Sequence, residues 1–356
     1  FHRGAGLGLL LGRQLRHRHH RWDLQSKCRD VAILTDPIEL RVGRESDQCI
    51  AEVAALVEHS DVDEVLQGIL RDDGSASADI VRHIRLPRVA SAFSVGALLG
   101  MAGALFQVLV RNPLADPYIM GTAGGAAAAY LMAALAGLPA PIHPLAAFAG
   151  ALASTAIVAW LARLGRVTDS NRLLLTGVML AAGWGALVTL LLSLAPSTRV
   201  PGLLFWLMGD LNHDTGWATA AIALATGLPL VWLLAASLNL LAFGTTGAAT
   251  LGVAVTRIQV AAFALASLFT AIAVSVAGPI GFVGLVAPHL MRRTVSTDHR
   301  LLLPASALAG GALLVLADAL ARTVMAPRQL PVGVLTALIG VPLFLMLLSR
   351  EGRRHG

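Results

Sequence analysis

Nine apolar runs, most of them about as long as a bilayer is thick, follow one another between Val89 and Leu348. They cover residues 89–110, 118–138, 142–162, 173–195, 217–236, 256–277, 279–293, 301–321 and 331–348. About 20 helical residues cross the hydrocarbon core, and a helix is the spanning form that pairs all its backbone groups within one segment. The expected fold is therefore all-α: a polytopic transmembrane helical bundle with nine spans. The seventh run is short and carries Pro279 and Pro288. It is expected to be a broken or partly buried helix whose freed backbone groups are satisfied by neighbours. Gly96 with Gly100, and Gly121 with Gly125, recur at helical spacing and read as close helix packing.

The polar residues divide the chain at Ile80. Residues 1–80 hold 10 basic and 14 acidic side chains, whereas the 276 residues from 81 onward hold only 17 and 7. The expected organisation is an atypical polar N-terminal region (1–80), a membrane domain (81–350) and a cytoplasmic tail (351–356). With the C-terminus inside, eleven arginines of the membrane domain and tail fall on the cytoplasmic side. Six (Arg82, Arg85, Arg88, Arg199, Arg322 and Arg328) fall outside, and this excess sets the orientation. The formal charge of +6 is not a nucleic-acid signal. Lys27 is the sole lysine and the arginines flank apolar runs, whereas a nucleic-acid face clusters its charge on a soluble scaffold. Cys28 and Cys49 form no disulfide or metal pattern. His17, His19 and His20 read as a solvated basic stretch, with metal binding as the minority alternative.

Two other function classes fit these residues poorly. An ion-coupled secondary transporter needs ionisable groups inside its spans. Of the seven acids after residue 80, only Asp318 lies in an apolar run, which makes a poor relay. A membrane enzyme needs facing His, Asp or Glu, and His143, His213, His289 and His299 are scattered singly.

Three stretches carry a family resemblance: IRLPR (Ile84–Arg88) followed by RNPLADPYIMGTAGGA (Arg111–Ala126); GPIGFVGLVAPHLMRR (Gly278–Arg293) followed by TDHR (Thr297–Arg300); and LPVGVLTALIGVPLFLMLL (Leu330–Leu348). In this order they resemble the permease subunits of ATP-binding-cassette importers for iron-siderophores, haem and vitamin B12. The resemblance spans residues 80–350. Family members usually have ten helices; the first has no counterpart here, because the apolar stretch Gly4–Gly12 is too short to span. Residues 1–80 thus stand as either an altered start or a true variant, with 61–82 again similar to the external segment before the second family helix.

The resemblance implies a homodimer in a bacterial inner membrane, two ATPase subunits on the cytoplasmic face and a periplasmic binding protein. The cargo would be haem, a ferric siderophore or cobalamin. No cofactor is expected on this chain. ATP would be used by the partner ATPase, in keeping with the lack of a G-x-x-x-x-G-K-[ST] phosphate loop. Matching positions assign Arg85, Arg88 and Arg322 to binding-protein docking; a rigid guanidinium fork suits carboxylates, and snorkelling is the alternative reading. Asp318, one turn before Arg322, could pair with it. Asn112 and Leu114 are implied at the cytoplasmic gate, against a plain Asn-Pro turn; Thr168–Arg172 is a weaker gate candidate. The loop Ser237–Val253 matches the ATPase coupling loop, with two short helices expected. The family's Gly-Glu pair and arginine are replaced by Gly244-Thr245 and Thr250. Contact would therefore fall to the hydrophobic knobs Leu240, Leu241, Phe243 and Leu251, in a coupling loop that also includes Gly244 and Gly252. Pro196–His213 reads as an external or re-entrant helix whose Phe205, Trp206 and Met208 line the substrate entrance or pack at the interface.

Overall fold

The computed structural model describes residues 79–162, 170–211, 216–326 and 328–352. Phe1–Val81 and Arg82–Gly356 form two compact units, and the description concerns the second. The histidines 17, 19 and 20, the two cysteines, residues 61–78, Thr168 and Asp169, and the tail from Arg353 lie outside the described residues.

Among the described residues, eleven α-helices follow in order. They are α1 (Leu86–Val110), entered through a π-helical turn (Val81–Arg85), α2 (Thr122–Leu135), α3 (Ile142–Ala162) and α4 (Ser170–Leu194). Next come α5 (Val200–Leu207), α6 (Trp217–Ala242), α7 (Thr245–Thr250) and α8 (Val255–Ala277). The last are α9 (Val283–Thr294), α10 (His299–Thr323) and α11 (Val332–Gly352). All nine apolar runs are helical, and among the described residues six helices are long and apolar enough to cross a membrane.

Two runs depart from a simple span. Run 118–138 begins with a 3-10 turn (Pro117–Met120), because the Asp116 carboxylate accepts a hydrogen bond from the Tyr118 N–H. Gly121, at φ 71°, then separates the turn from α2, leaving only 14 helical residues. Run 279–293 is helical only in part: Pro279 lies in its non-helical start, whereas Pro288 is accommodated inside the continuous, largely buried α9. Gly278 adopts φ 67°, ψ −174°, a conformation available to glycine, and helix resumes only at Val283.

α1 is the hub. It packs against α6, α8, α9 and α10, and is apolar on every face, as a fully enclosed helix must be. Its contact with α10 has no room for side chains: a Cβ on Gly96 would meet the Gly310 carbonyl, and one on Gly100 the Ser306 carbonyl. α4 is the opposite case. Leu175, Met179, Leu190 and Leu194 all lie more than half exposed. Apolar area left in water costs about 25 cal/mol per Å2, so this surface belongs against lipid.

Candidate functional site

Where α1 begins and α10 ends, the two helices are joined by charge. Arg88 Nε donates to both Asp318 oxygens at 3.1 Å, and Arg88 Nη2 donates to Oδ1 at 2.8 Å. Arg322, one turn further along α10, brings its Nε to 3.3 Å from Asp318 Oδ2. The carboxylate side chain is 2% exposed, against 12% for Arg88 and 30% for Arg322. A lone buried carboxylate would be very costly; two guanidiniums in charge-assisted geometry make it tolerable. The expected Arg322–Asp318 pair is thus present. The Arg88–Asp318 pair, 230 residues apart in sequence, left no local signal. This engagement also removes Asp318 from any role as a free coupling acid. Arg85 is half-buried nearby.

On α5, the three entrance candidates separate. Trp206 is buried and stacks on Tyr130 with ring centroids 3.7 Å apart, so it belongs to the core rather than to an entrance. Phe205 is half-buried. Met208 is exposed and lines an open apolar groove of about 540 Å3 with Leu207, Pro279, Val334, Leu338 and Pro342. Backbone bonds hold this wall: Asp210 N–H donates to Ala277 O at 2.8 Å, and Val332 N–H to Gly209 O at 3.1 Å.

The first and second motif stretches are tied together at the loop after α1. Asp116 accepts from the backbone N–H groups of Tyr118 and Phe282, and the Ile280 N–H donates to the Tyr118 hydroxyl at 3.2 Å. Burial among apolar groups pushes the half-buried Asp116 carboxyl up to about 6 despite those two donors. Gln107 bridges further, donating to Leu285 O at 3.3 Å and accepting from Arg292 Nη1. Within this loop, Arg111 closes α1 in a left-handed conformation, φ 51°. Asn112 Oδ1 accepts the Leu114 N–H at 2.9 Å. That is a side-chain-closed turn; both gate candidates are half-buried within it.

The coupling-loop stretch is largely helix. α6 runs on to Ala242, six residues beyond the apolar run, and one short helix, α7, stands where two were expected. The continued helix places Leu241 in the core at 1% exposure, so it is not a surface knob, and Leu240 is half-buried. Phe243 and Leu251, either side of α7, are 89% and 68% exposed. Gly244 and Gly252 take φ 119° and 83° at the two corners. Asn239, unremarked in the sequence because it lay in presumed loop, sits on α6 and binds Asp298 and His299 of the α9–α10 turn.

Comparison with known proteins decides the relationship. Residues 49–350 match the FecCD transport family. The chain belongs to that family. The match reaches upstream of Ile80, into the polar N-terminal region. This FecCD permease is 44% identical over 275 residues to the Fe(3+) dicitrate permease FecD of Escherichia coli K12, covering 76% of this chain and 85% of FecD. It is 41% identical over 278 residues to the hemin permease HmuU of Yersinia pestis, with 76% and 83% covered. It is 44% identical over 285 residues to the cobalamin permease BtuC of Halobacterium salinarum, with 77% and 74% covered. Among solved structures it resembles an inward-facing metal-chelate type ABC transporter at TM-score 0.72 and 28% identity, covering 85% of this chain and 99% of that one. The protein is a multi-pass membrane permease subunit of the ABC-importer class.

Proposed function

We propose that this permease carries an iron chelate, haem or a ferric siderophore, from periplasm to cytoplasm across a bacterial inner membrane. The observation that carries this reading is the similarity to FecD and HmuU, which extends over more than 80% of each relative's length. Cobalamin is the second reading, favoured by the equal identity to BtuC. The working unit would be a homodimer with two ATPase subunits and a periplasmic binding protein. ATP is spent by the ATPases, and this chain binds no cofactor. In that assembly, Arg85 and Arg322 meet carboxylates of the binding protein, while Arg88 contributes what its bond to Asp318 leaves over. The apolar groove at Met208 faces the pathway between the two copies, and Asn112 and Leu114 narrow its inner end. Phe243 and Leu251 seat in the ATPase.

The test is uptake by proteoliposomes holding the assembled importer, with its binding protein and internal ATP. Labelled haem, ferric citrate, ferric siderophores and cobalamin are each offered. ATP-dependent uptake of one of the iron chelates is expected. Uptake of cobalamin alone replaces the first reading by the second, and ATP-dependent uptake of none of them overturns both.

A further inference from the structure

The amide of Asn239 is the meeting point of two elements far apart in sequence. Its Nδ2 donates to Asp298 Oδ1 at 2.6 Å. Its Oδ1 accepts from the His299 N–H at 2.8 Å and faces His299 Nδ1 at 2.6 Å, so the imidazole carries its proton on Nδ1. Asp298 Oδ1 also accepts the Arg300 N–H at 2.9 Å, capping α10, and the Asp298 N–H donates to Ser296 Oγ at 3.0 Å. Two turns earlier on α6, Trp232 Nε1 donates to Arg300 O at 3.2 Å. The α9–α10 turn is therefore fastened to α6 at two levels. Donors hold the Asp298 carboxyl below the ordinary carboxylate range, first among them the Asn239 amide.

The placement gives this fastening its interest. Asn239 lies three residues before α6 ends at Ala242, and α7 begins at Thr245. On the other side, α10 starts at the fastened turn and runs to Asp318 and Arg322 at the outer end, locked on the way to α1 by backbone contact at Gly96 and Gly100. A displacement of α7 is thus passed to α10 through α6, where the Asn239 amide is the fastening nearest to α7, and α10 moves against α1 as a unit or not at all.

We propose that Asn239 is a positioning residue for ATP-driven coupling, tying the loop that meets the ATPase to the Ser296–Arg300 turn so that movement at α7 is delivered to α10. The proposal rests on the reading of residues 243–252 as the ATPase-facing loop. Physical coupling of this kind requires a contiguous element biased from both ends, and α10 with its two attachments is one.

The experiment uses the whole importer in lipid, and reads the ratio of ATP hydrolysis with loaded binding protein to hydrolysis without it, beside ATPase co-purification. Asn239→Asp sets a second carboxylate against Asp298 and should lower the ratio about fivefold or more, while the ATPase still co-purifies. Asp298→Asn keeps an acceptor for both the Asn239 amide and the Arg300 N–H, and should retain the ratio. The exchanged pair, Asn239→Asp with Asp298→Asn, restores a donor facing an acceptor and should recover it. A wild-type ratio in Asn239→Asp, or no recovery in the exchanged pair, overturns the proposal. So does loss of co-purification in step with the ratio, which is what a merely structural residue would show. If Asn239→Asp does not accumulate, Asn239→Ser, too short to reach either partner, is read by the same outcomes. Phe243→Asp separates the two levels. If it leaves the ATPase bound, the loop reading itself falls; if it releases the ATPase while Asn239→Asp keeps its ratio, only the role of Asn239 falls.

Discussion

At the proposed outer end of the bundle a carboxylate is 2% exposed between two arginines; at the proposed inner end a phenylalanine is 89% exposed at the corner between α6 and α7. Each end inverts the usual rule of apolar inside and charged outside, and for a different reason. The outer charges are held by one another, so their placement is a matter of stability and orientation. The inner apolar residues have no cover among the described residues, and in the proposed assembly the ATPase would supply it. Buried charge and exposed apolar surface are the two informative deviations in any fold. Here they mark the two faces at which an importer permease would meet other proteins.

The contrast can be broken most directly at Asp318. Asp318→Asn leaves two guanidiniums without their counter-ion, and should cost about 3–5 kcal/mol of stability, read as a lowered unfolding midpoint in detergent. A midpoint equal to wild type would mean that solvent or lipid headgroups already neutralise the arginines, and that the outer end is no clamp. The inner end offers an internal control, since Leu241 and Phe243 lie two residues apart. Leu241→Ala opens the core and should cost about 2–5 kcal/mol. Phe243→Ala should change stability by no more than about 0.5 kcal/mol, yet weaken ATPase co-purification. Equal destabilisation by both would show that Phe243 is covered within the chain after all.

The smallest effect concerns Asp116, where the two motif stretches meet. Its folded pKa, about 6, lies above the ordinary carboxylate value. The folded state therefore holds the proton more tightly than the unfolded chain. Stability from this site is fully present below about pH 4 and falls as the pH rises through about 6. Asp116→Asn should flatten stability against pH across that window and leave the slope elsewhere unchanged. An unchanged profile would assign the pH dependence to other groups.

Much of this was legible before any coordinates. Hydropathy located all nine runs, Pro279 marked the late start of the seventh helix, and three ordered motifs pointed to the family. Site residues were less legible, because neighbours in space are not neighbours in sequence. Trp206 and Leu241 look like Phe205 and Phe243 on paper; the direction in which a helix turns them decides their role. Asn239 was overlooked because the apolar run stopped at residue 236, whereas backbone hydrogen bonding carries α6 on to Ala242.

What the sequence by itself determined is the kind of element and where the long helices lie. In lipid a segment must pair its own backbone groups, so a long apolar run becomes a helix whatever surrounds it. Only the tertiary structure decided where each helix goes. The best windows of α1 and α4 have nearly the same mean hydropathy, 2.0 and 1.9, yet 94% of one and 11% of the other are buried. Lipid tails are as apolar as a protein interior, so no hydrophobic penalty tells a central helix from a peripheral one. That choice falls to close contacts such as Gly96 on Gly310, and to polar bonds such as Arg88 to Asp318, which form only once distant parts of the chain have been brought together.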